Sequence, residues 1–386
     1  MATTTRTPDL EDGDLALADA PAVTDVGAKD AAKVPAPKTP AAAKAEGKQT
    51  VKKLKLALQG GGAHGAFTWG VLDRLLEDDR IEVEGLIGTS AGAMNATVAA
   101  AGLIAGGRPE ARRLLHDFWK KASDAGKNGP LQPTPLDRLV SRGNMDFSPL
   151  WAWYDTLSRV MSPYELNPSN VNPLRDIIAD VVDFEALRKA QDQVKLFVCA
   201  TNVLNGRLRV FEHHEITPDA VMASACLPFL FQAVEIDGEY FWDGGYIGNP
   251  PIFPLIYSGG CNDILVVQIN PINIPDVPRT ARAILDRINT LSFNSSLMRE
   301  MRTIQFVTDL LDKGELDPEK FSRMNIHTID AEQELSQFSV SSKLNPDWEF
   351  LTFLFQLGRR KAARFLELHF DKIGERSSTE IREKFF

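Results

Sequence analysis

The chain has 386 residues, 44% of them hydrophobic and 25% charged, with a formal net charge of −9. This length and balance suit a globular protein with one large core or two modest ones, and the acidic excess argues against general nucleic-acid binding, whose footprint is a basic surplus. The three cysteines, Cys199, Cys226 and Cys261, stand far apart with no CxxC or metal-ligand spacing. They indicate a reduced, cytoplasmic protein and call for no metal.

Residues 1–52 contain no Ile, Phe, Trp or Tyr and are dominated by Ala, Pro, Asp, Thr and Lys. Such a segment buries too little apolar area to offset its ordering entropy, so a disordered tail is expected there. It has no basic stretch followed by an apolar one, and no secretory signal is read. Order should begin near Leu54, with KLKLALQ as a first strand and HGAFTWGVLDRLLEDD as a helix whose Phe67, Val71, Leu72, Leu75 and Leu76 fall at helical spacing. EGLIGTS reads as a second buried strand, followed by an Ala-rich helix from Ala91. Residues 91–106 include Asn95, Thr97 and several glycines, too polar and too short for a membrane span. KLFVCATNV and RLRVFEHH form a strand pair around Asn205-Gly206, and ILVVQINP is a further buried strand. Beyond Pro278 the pattern turns helical. The expectation is an α/β fold of three layers (α/β/α) around a mostly parallel sheet over 53–275, with a C-terminal helical extension over 276–386.

Three stretches carry chemistry. GGGAHG, Gly60–Gly65, follows the first strand and opens a helix, so bare amides at a helix start can hold an anion, either a phosphate or an oxyanion formed during reaction. GTSAG, Gly88–Gly92, fits G-x-S-x-G on a strand-to-helix turn, where the flanking glycines relieve crowding and Ser90 projects its hydroxyl. In YFWDGGYIGNPP an apolar run stops at Asp243, followed by Gly244 and Gly245. That carboxylate is either a general base held in a tight loop or an ordinary Asx-turn. The candidate histidines for a triad, His64, His116, His213, His214, His327 and His369, lie in surroundings that suggest no partnership with Ser90.

Together, GGGAHG, GTSAG, DGG and the following N-x-P (Asn249, Pro251), with ASACLPF before them, resemble the patatin-like phospholipase family over residues 54–275. The resemblance implies a lipid acyl hydrolase without cofactor or metal. In it Ser90 is the nucleophile, Asp243 its only catalytic partner, and Gly60, Gly61, Gly62, Ala63 and Gly65 form the oxyanion loop. Gly88, Gly92, Gly244 and Gly245 support these motifs. Without an imidazole, activity should persist below the usual histidine pKa of about 6.5. Gly62→Ala is then the cleaner probe of the loop, because alanine adds little bulk yet penalises φ > 0. One departure is His64, at a position often held by Lys or Arg in that family.

Two other readings compete. GGGAHG also matches a dinucleotide fingerprint, which requires an acidic residue at the end of the second strand, where GTSAG stands instead. A lipid-surface or storage-granule protein acting on polyester or neutral-lipid esters would use the Lys/Ala/Pro tail and a final stripe of Trp348, Phe350, Leu351, Phe353, Leu354 and Phe355 ahead of Arg359, Arg360, Lys361 and Arg364. The aromatic stretch 145–164 suits either an acyl-groove wall or core packing. The implied partner is a lipid or acyl ester, with peripheral association to membranes or lipid inclusions. The sequence assigns neither head group nor oligomeric state.

Overall fold

The structure, a computed structural model, describes residues 50–127, 132–140, 143–190 and 192–386. The tail expected over 1–52 lies almost wholly outside the described residues. Order starts slightly before the anticipated Leu54, with strand β1 (Lys52–Leu58), followed by helix α1 (Gly65–Glu77), β2 (Ile81–Gly88) and α2 (Ala91–Lys127). Helix α2 changes direction at Gly106 and Gly107, the latter at φ 72°, so the buried Ala-rich run ends where expected. After a stretch of short helices come β3 (Lys195–Asn202), β4 (Leu208–Glu212), α3 (Pro218–Ser224), β5 (Val234–Ile236), β6 (Glu239–Asp243) and β7 (Asp263–Gln268). The C-terminal region contributes α4 (Ala281–Asp312), β8 (Asn325–Asp330) and α5 (Trp348–His369).

All eight strands among the described residues belong to one sheet, in the order β5-β6-β3-β2-β1-β7-β8, with β4 also on β3. Strands β3, β2, β1, β7 and β8 run parallel, and β4, β5 and β6 are antiparallel to their neighbours. Strand β8 was not anticipated. NIHTID is short and polar for a strand, and its pairing along β7 from Asp263↔Asn325 to Gln268↔Asp330 decides its conformation. The chain moves from β1 to β2 and β3 on one side and to β7 and β8 on the other. A crevice therefore opens at the carboxyl ends of the central strands, the usual ligand position in such sheets.

The layers follow from the period of two along each strand. Leu54, Leu56 and Leu58 of β1 face a core shared with α1, α2 and α5, while Ala57 faces a second core with Ile264, Leu297, Met301 and Phe385. The five apolar positions anticipated in α1 are all buried. Helix α5 lies against α1, so the stripe that suggested a lipid surface is largely internal. Phe350, Leu351 and Leu354 are buried and Trp69 packs on Phe355 at 4.0 Å. Arg359 binds Asp73 and Glu77 of α1, and Lys361 lies 2.7 Å from Glu334. In the aromatic stretch, Met145 and Trp151 are buried, whereas Phe147, Leu150, Trp153 and Tyr164 are exposed, so core packing accounts for only part of it.

The α1–α5 crossing is close because Gly70 sits under the Phe355 carbonyl and Gly358 under that of Phe67. A Cβ at residue 358 would overlap that backbone oxygen. Gly358→Ala should therefore destabilise the protein by about 1–3 kcal/mol, as overpacking does. Urea denaturation checks this, with a lowered midpoint at unchanged slope as the expected result.

Candidate active site

The edge of β3 decides the geometry. Phe197 and Val198 pair with β2 on one side and β4 on the other, while Ala200 and Thr201 pair with β4 and β6. Strands β2 and β6 therefore share one edge of β3 and run toward each other. Gly88 pairs with Val198 and Asp243 with Ala200, so the two strands end two residues apart along that edge. GTSAG leaves one end and DGG the other, which brings Ser90 and Asp243 together.

Ser90 has φ 57°, a left-handed conformation unusual for a residue with a side chain, and it stands at the mouth of α2. Its own amide donates to Ser224 Oγ at 2.9 Å, and Met94 N donates to its carbonyl at 3.1 Å. Cβ atoms at Gly88 and Gly92 would overlap backbone oxygens, which is why the turn needs both.

Asp243 is completely buried. Its amide donates to the Cys226 carbonyl at 2.8 Å, and its carbonyl accepts from Thr201 Oγ1 at 2.9 Å. Gly245 N donates to Oδ1 at 2.7 Å. The other carboxylate oxygen, Oδ2, is buried without a hydrogen bond of regular geometry, although the Ser90 hydroxyl lies close enough to favour the charged form. Burial pushes the Asp243 carboxyl up to about 6, against the opposing pull of Gly245 N–H, Ser90 and the Lys343 ammonium. A carboxyl at about 6 titrates near the histidine range rather than in the usual carboxylate range.

The glycine loop lies beside this pair. A Cβ at Gly60 would stand 2.6 Å from Ser90 Cβ, so only glycine lets the loop approach so closely. Gly60 N–H donates to Asn249 Oδ1 at 2.7 Å, and its carbonyl accepts from Asn270 Nδ2 at 2.8 Å. Gly60 is therefore clamped at both ends, while the amides of Gly61 and Gly62 donate to nothing among the described residues. Gly65 serves packing, with its Cα against Ala91 and Trp119, and Ala63 packs at the edge of the core. Gly62 has φ +60° and a Cβ there would overlap the Lys343 carbonyl. Gly62→Ala is therefore a disruptive probe. Gly61 is extended at φ 169°, and a Cβ there meets the flexible tip of Ile269 at 2.8 Å, making it the better one.

His64 is buried, with Nε2 2.7 Å from Ser342 Oγ. Ser342 spends its own proton on the Ser339 carbonyl, so His64 must be the donor. Burial, assisted by the Lys343 charge, depresses the imidazole to about 3, leaving it neutral. His327 binds Asp263 at 3.0 Å and Ser378 at 2.9 Å. Asp263 begins β7, at the amino ends of the parallel strands and hence opposite Ser90. His213 is held by the Leu187 carbonyl at 2.7 Å.

Several site residues escaped sequence reasoning. Gln59 Oε1 accepts from the amides of Ile269 and Asn270 at 2.9 and 3.0 Å, and its Nε2 donates to Asn249 O and Asn294 Oδ1. Ser296 Oγ accepts from Asn249 N at 3.1 Å, and Glu300 caps Ile252 N at 2.7 Å. The polar run Asn294-Ser295-Ser296 inside a helix was the available signal, since such residues are poor helix formers without another task.

A family model described as "Patatin-like phospholipase" matches residues 56–256. The chain belongs to the patatin-like phospholipase family. Its motifs, and the α/β architecture with a helical C-terminal region, are those of a lipid-hydrolase family, and the dinucleotide reading lacks the strand-end acid it requires. No curated protein matches in sequence. Among solved structures, VipD from Legionella pneumophila is similar at 17% identity and TM-score 0.41, covering 86% of this chain and 72% of that one. ExoU in its complex with SpcU, from Pseudomonas aeruginosa, is 17% identical with TM-score 0.35, covering 82% of this chain. The present chain spans 51% of that ExoU chain and 53% of the ExoU crystallised alone. In this patatin-like protein no described helix is long and apolar enough to cross a membrane.

The buried carboxyl has a consequence for stability. Its folded value, about 6, exceeds the ordinary 3.8, so ionisation costs folding free energy. The penalty is absent below about pH 4, grows up to about pH 6 and is full above it, on the order of 3 kcal/mol. Asp243→Asn should melt several degrees above wild type at pH 7, with the gap closing toward pH 4. A gap independent of pH in calorimetry would contradict this.

Proposed function

We propose that the protein is a lipid acyl hydrolase using a Ser90–Asp243 dyad. The observation that supports it is the unsatisfied Oδ2 of a buried carboxylate beside a serine held at positive φ. Above about pH 6 Asp243 accepts the proton of Ser90 Oγ as that oxygen attacks the ester carbonyl. The amides of Gly61 and Gly62 donate to the resulting oxyanion, assisted by the positive end of α2. The C–O bond to the alcohol breaks, and the departing alkoxide takes the proton from Asp243. A water then gives its proton to Asp243 and attacks the acyl-Ser90 carbonyl. When that tetrahedral adduct collapses, the proton returns to Ser90 and the fatty acid leaves. Gly60 contributes by closeness to Ser90 rather than by its amide, which Asn249 occupies.

Ser90→Ala should lose hydrolysis of p-nitrophenyl esters and labelling by a fluorophosphonate, with its circular dichroism unchanged. His327→Ala should lower the melting temperature yet keep most of the kcat of the folded protein. Inactivity of folded His327→Ala equal to that of Ser90→Ala would instead demand a triad.

Gly61→Ala tests the loop. Losing an oxyanion donor typically costs about 10²–10³ in kcat. The expected result is a fall of that order with KM nearly unchanged, because the contact exists only in the transition state. A raised KM at normal kcat would make the loop a ground-state binding element.

A further inference from the structure

The glycine loop carries no charge of its own, because His64 is turned into the core and stays neutral. A cation nevertheless reaches it from far along the chain. Lys343 lies in the short turn Val340–Leu344, and its carbonyl oxygen fills the space where a Gly62 Cβ would be. Its Nζ donates to Asn270 Oδ1 at 2.9 Å. Asn270 Nδ2 in turn donates to Gly60 O at 2.8 Å, and the Gln59 carboxamide holds the Asn270 amide. The ammonium is thus linked through one side chain to the residue that touches Ser90.

Burial pulls the Lys343 ammonium below its ordinary value, against the opposing pull of the Asp286 and Asp243 carboxylates. From the other side, Asp243 faces Lys343, the Ser90 hydroxyl, the Gly245 amide, Cys226 and Tyr246. Burial holds the Cys226 thiol and the Tyr246 hydroxyl up at about 12, so both are neutral at ordinary pH. Among these groups Lys343 alone can carry a positive charge. It lies outside residues 56–256, the family-matched segment.

We propose that Lys343 is a positioning residue of the reaction, bringing a cation from the C-terminal region to the glycine loop beside Asp243 and fixing Gly60 through Asn270. The proposal rests on the roles of Ser90 and Asp243 given above. Three substitutions in the full chain separate its parts. Lys343→Gln keeps a donor for Asn270 without the charge, Lys343→Met removes both, and Lys343→Arg keeps both.

The readouts are kcat and KM on p-nitrophenyl butyrate between pH 5 and 9, a neutral substrate that adds no titration in that range. They are joined by an NMR titration of ¹³C-carboxyl aspartate, with the Asp243 signal assigned from Asp243→Asn. In Lys343→Gln and Lys343→Met the acid limb and the Asp243 titration should move up together, the direction set by losing an opposite charge. Lys343→Met should in addition lose tenfold or more in kcat at pH 8 with KM within twofold, and Lys343→Arg should titrate as wild type. An unmoved Asp243 titration in folded Lys343→Gln would overturn the proposal, as would an equal kcat loss in all three variants with a fixed acid limb. A wild-type chain that hydrolyses no ester and takes no fluorophosphonate would instead overturn the functional reading, and the NMR titration would still decide whether Lys343 governs Asp243.

Discussion

A carboxylate with no exposed surface costs free energy unless donors and cations offset its lost hydration. Asp243 is in that position, and the arrangement around it follows from the incomplete compensation. One oxygen receives the Gly245 amide, and the backbone on either side is pinned by Cys226 and Thr201. The other oxygen is left short of donors, with the Ser90 hydroxyl close by. A fully satisfied carboxylate would be a weak base, and an exposed one would titrate well below neutrality. Burial with one donor withheld gives a group near 6, suited to proton transfer at physiological pH.

The sheet makes this possible without a long active-site loop. Because β2 and β6 converge on one edge of β3, serine and aspartate are both delivered by strand ends, where backbone hydrogen bonds restrict motion. The strain of Ser90 is borne by the same frame, through Ser224 on α3 and the close backbone contacts at Gly88 and Gly92. Sites carried on rigid elements hold their geometry more closely than sites on free loops.

The C-terminal region is joined to this frame in three ways. Strand β8 extends the sheet, α5 covers α1, and α4 sends Asn294, Ser296 and Glu300 into the loops around Asn249 and Gln59. These contacts are buried amide and hydroxyl hydrogen bonds, costly to leave half made. The glycine loop is consequently held from the β7 side by Asn270 and from the Val340–Leu344 turn by the Lys343 backbone.

The local features were readable from sequence because they depend on neighbours in the chain. A strand running into GTSAG, glycines ahead of α1, DGG after an apolar run, and the period of α1 all concern short-range sterics and alternation. Tertiary structure decided what depends on distant partners. It made NIHTID a strand by pairing it with β7, turned the α5 stripe inward against α1, and left His64 uncharged by enclosing it beside Ser342. It also assigned the amide of Gly60 to Asn249, raised Asp243 to about 6, and brought Lys343 to the loop. Periodicity records which face of an element is apolar. The partner of a buried polar atom, and the proton affinity that partner leaves behind, are properties of the folded interior alone.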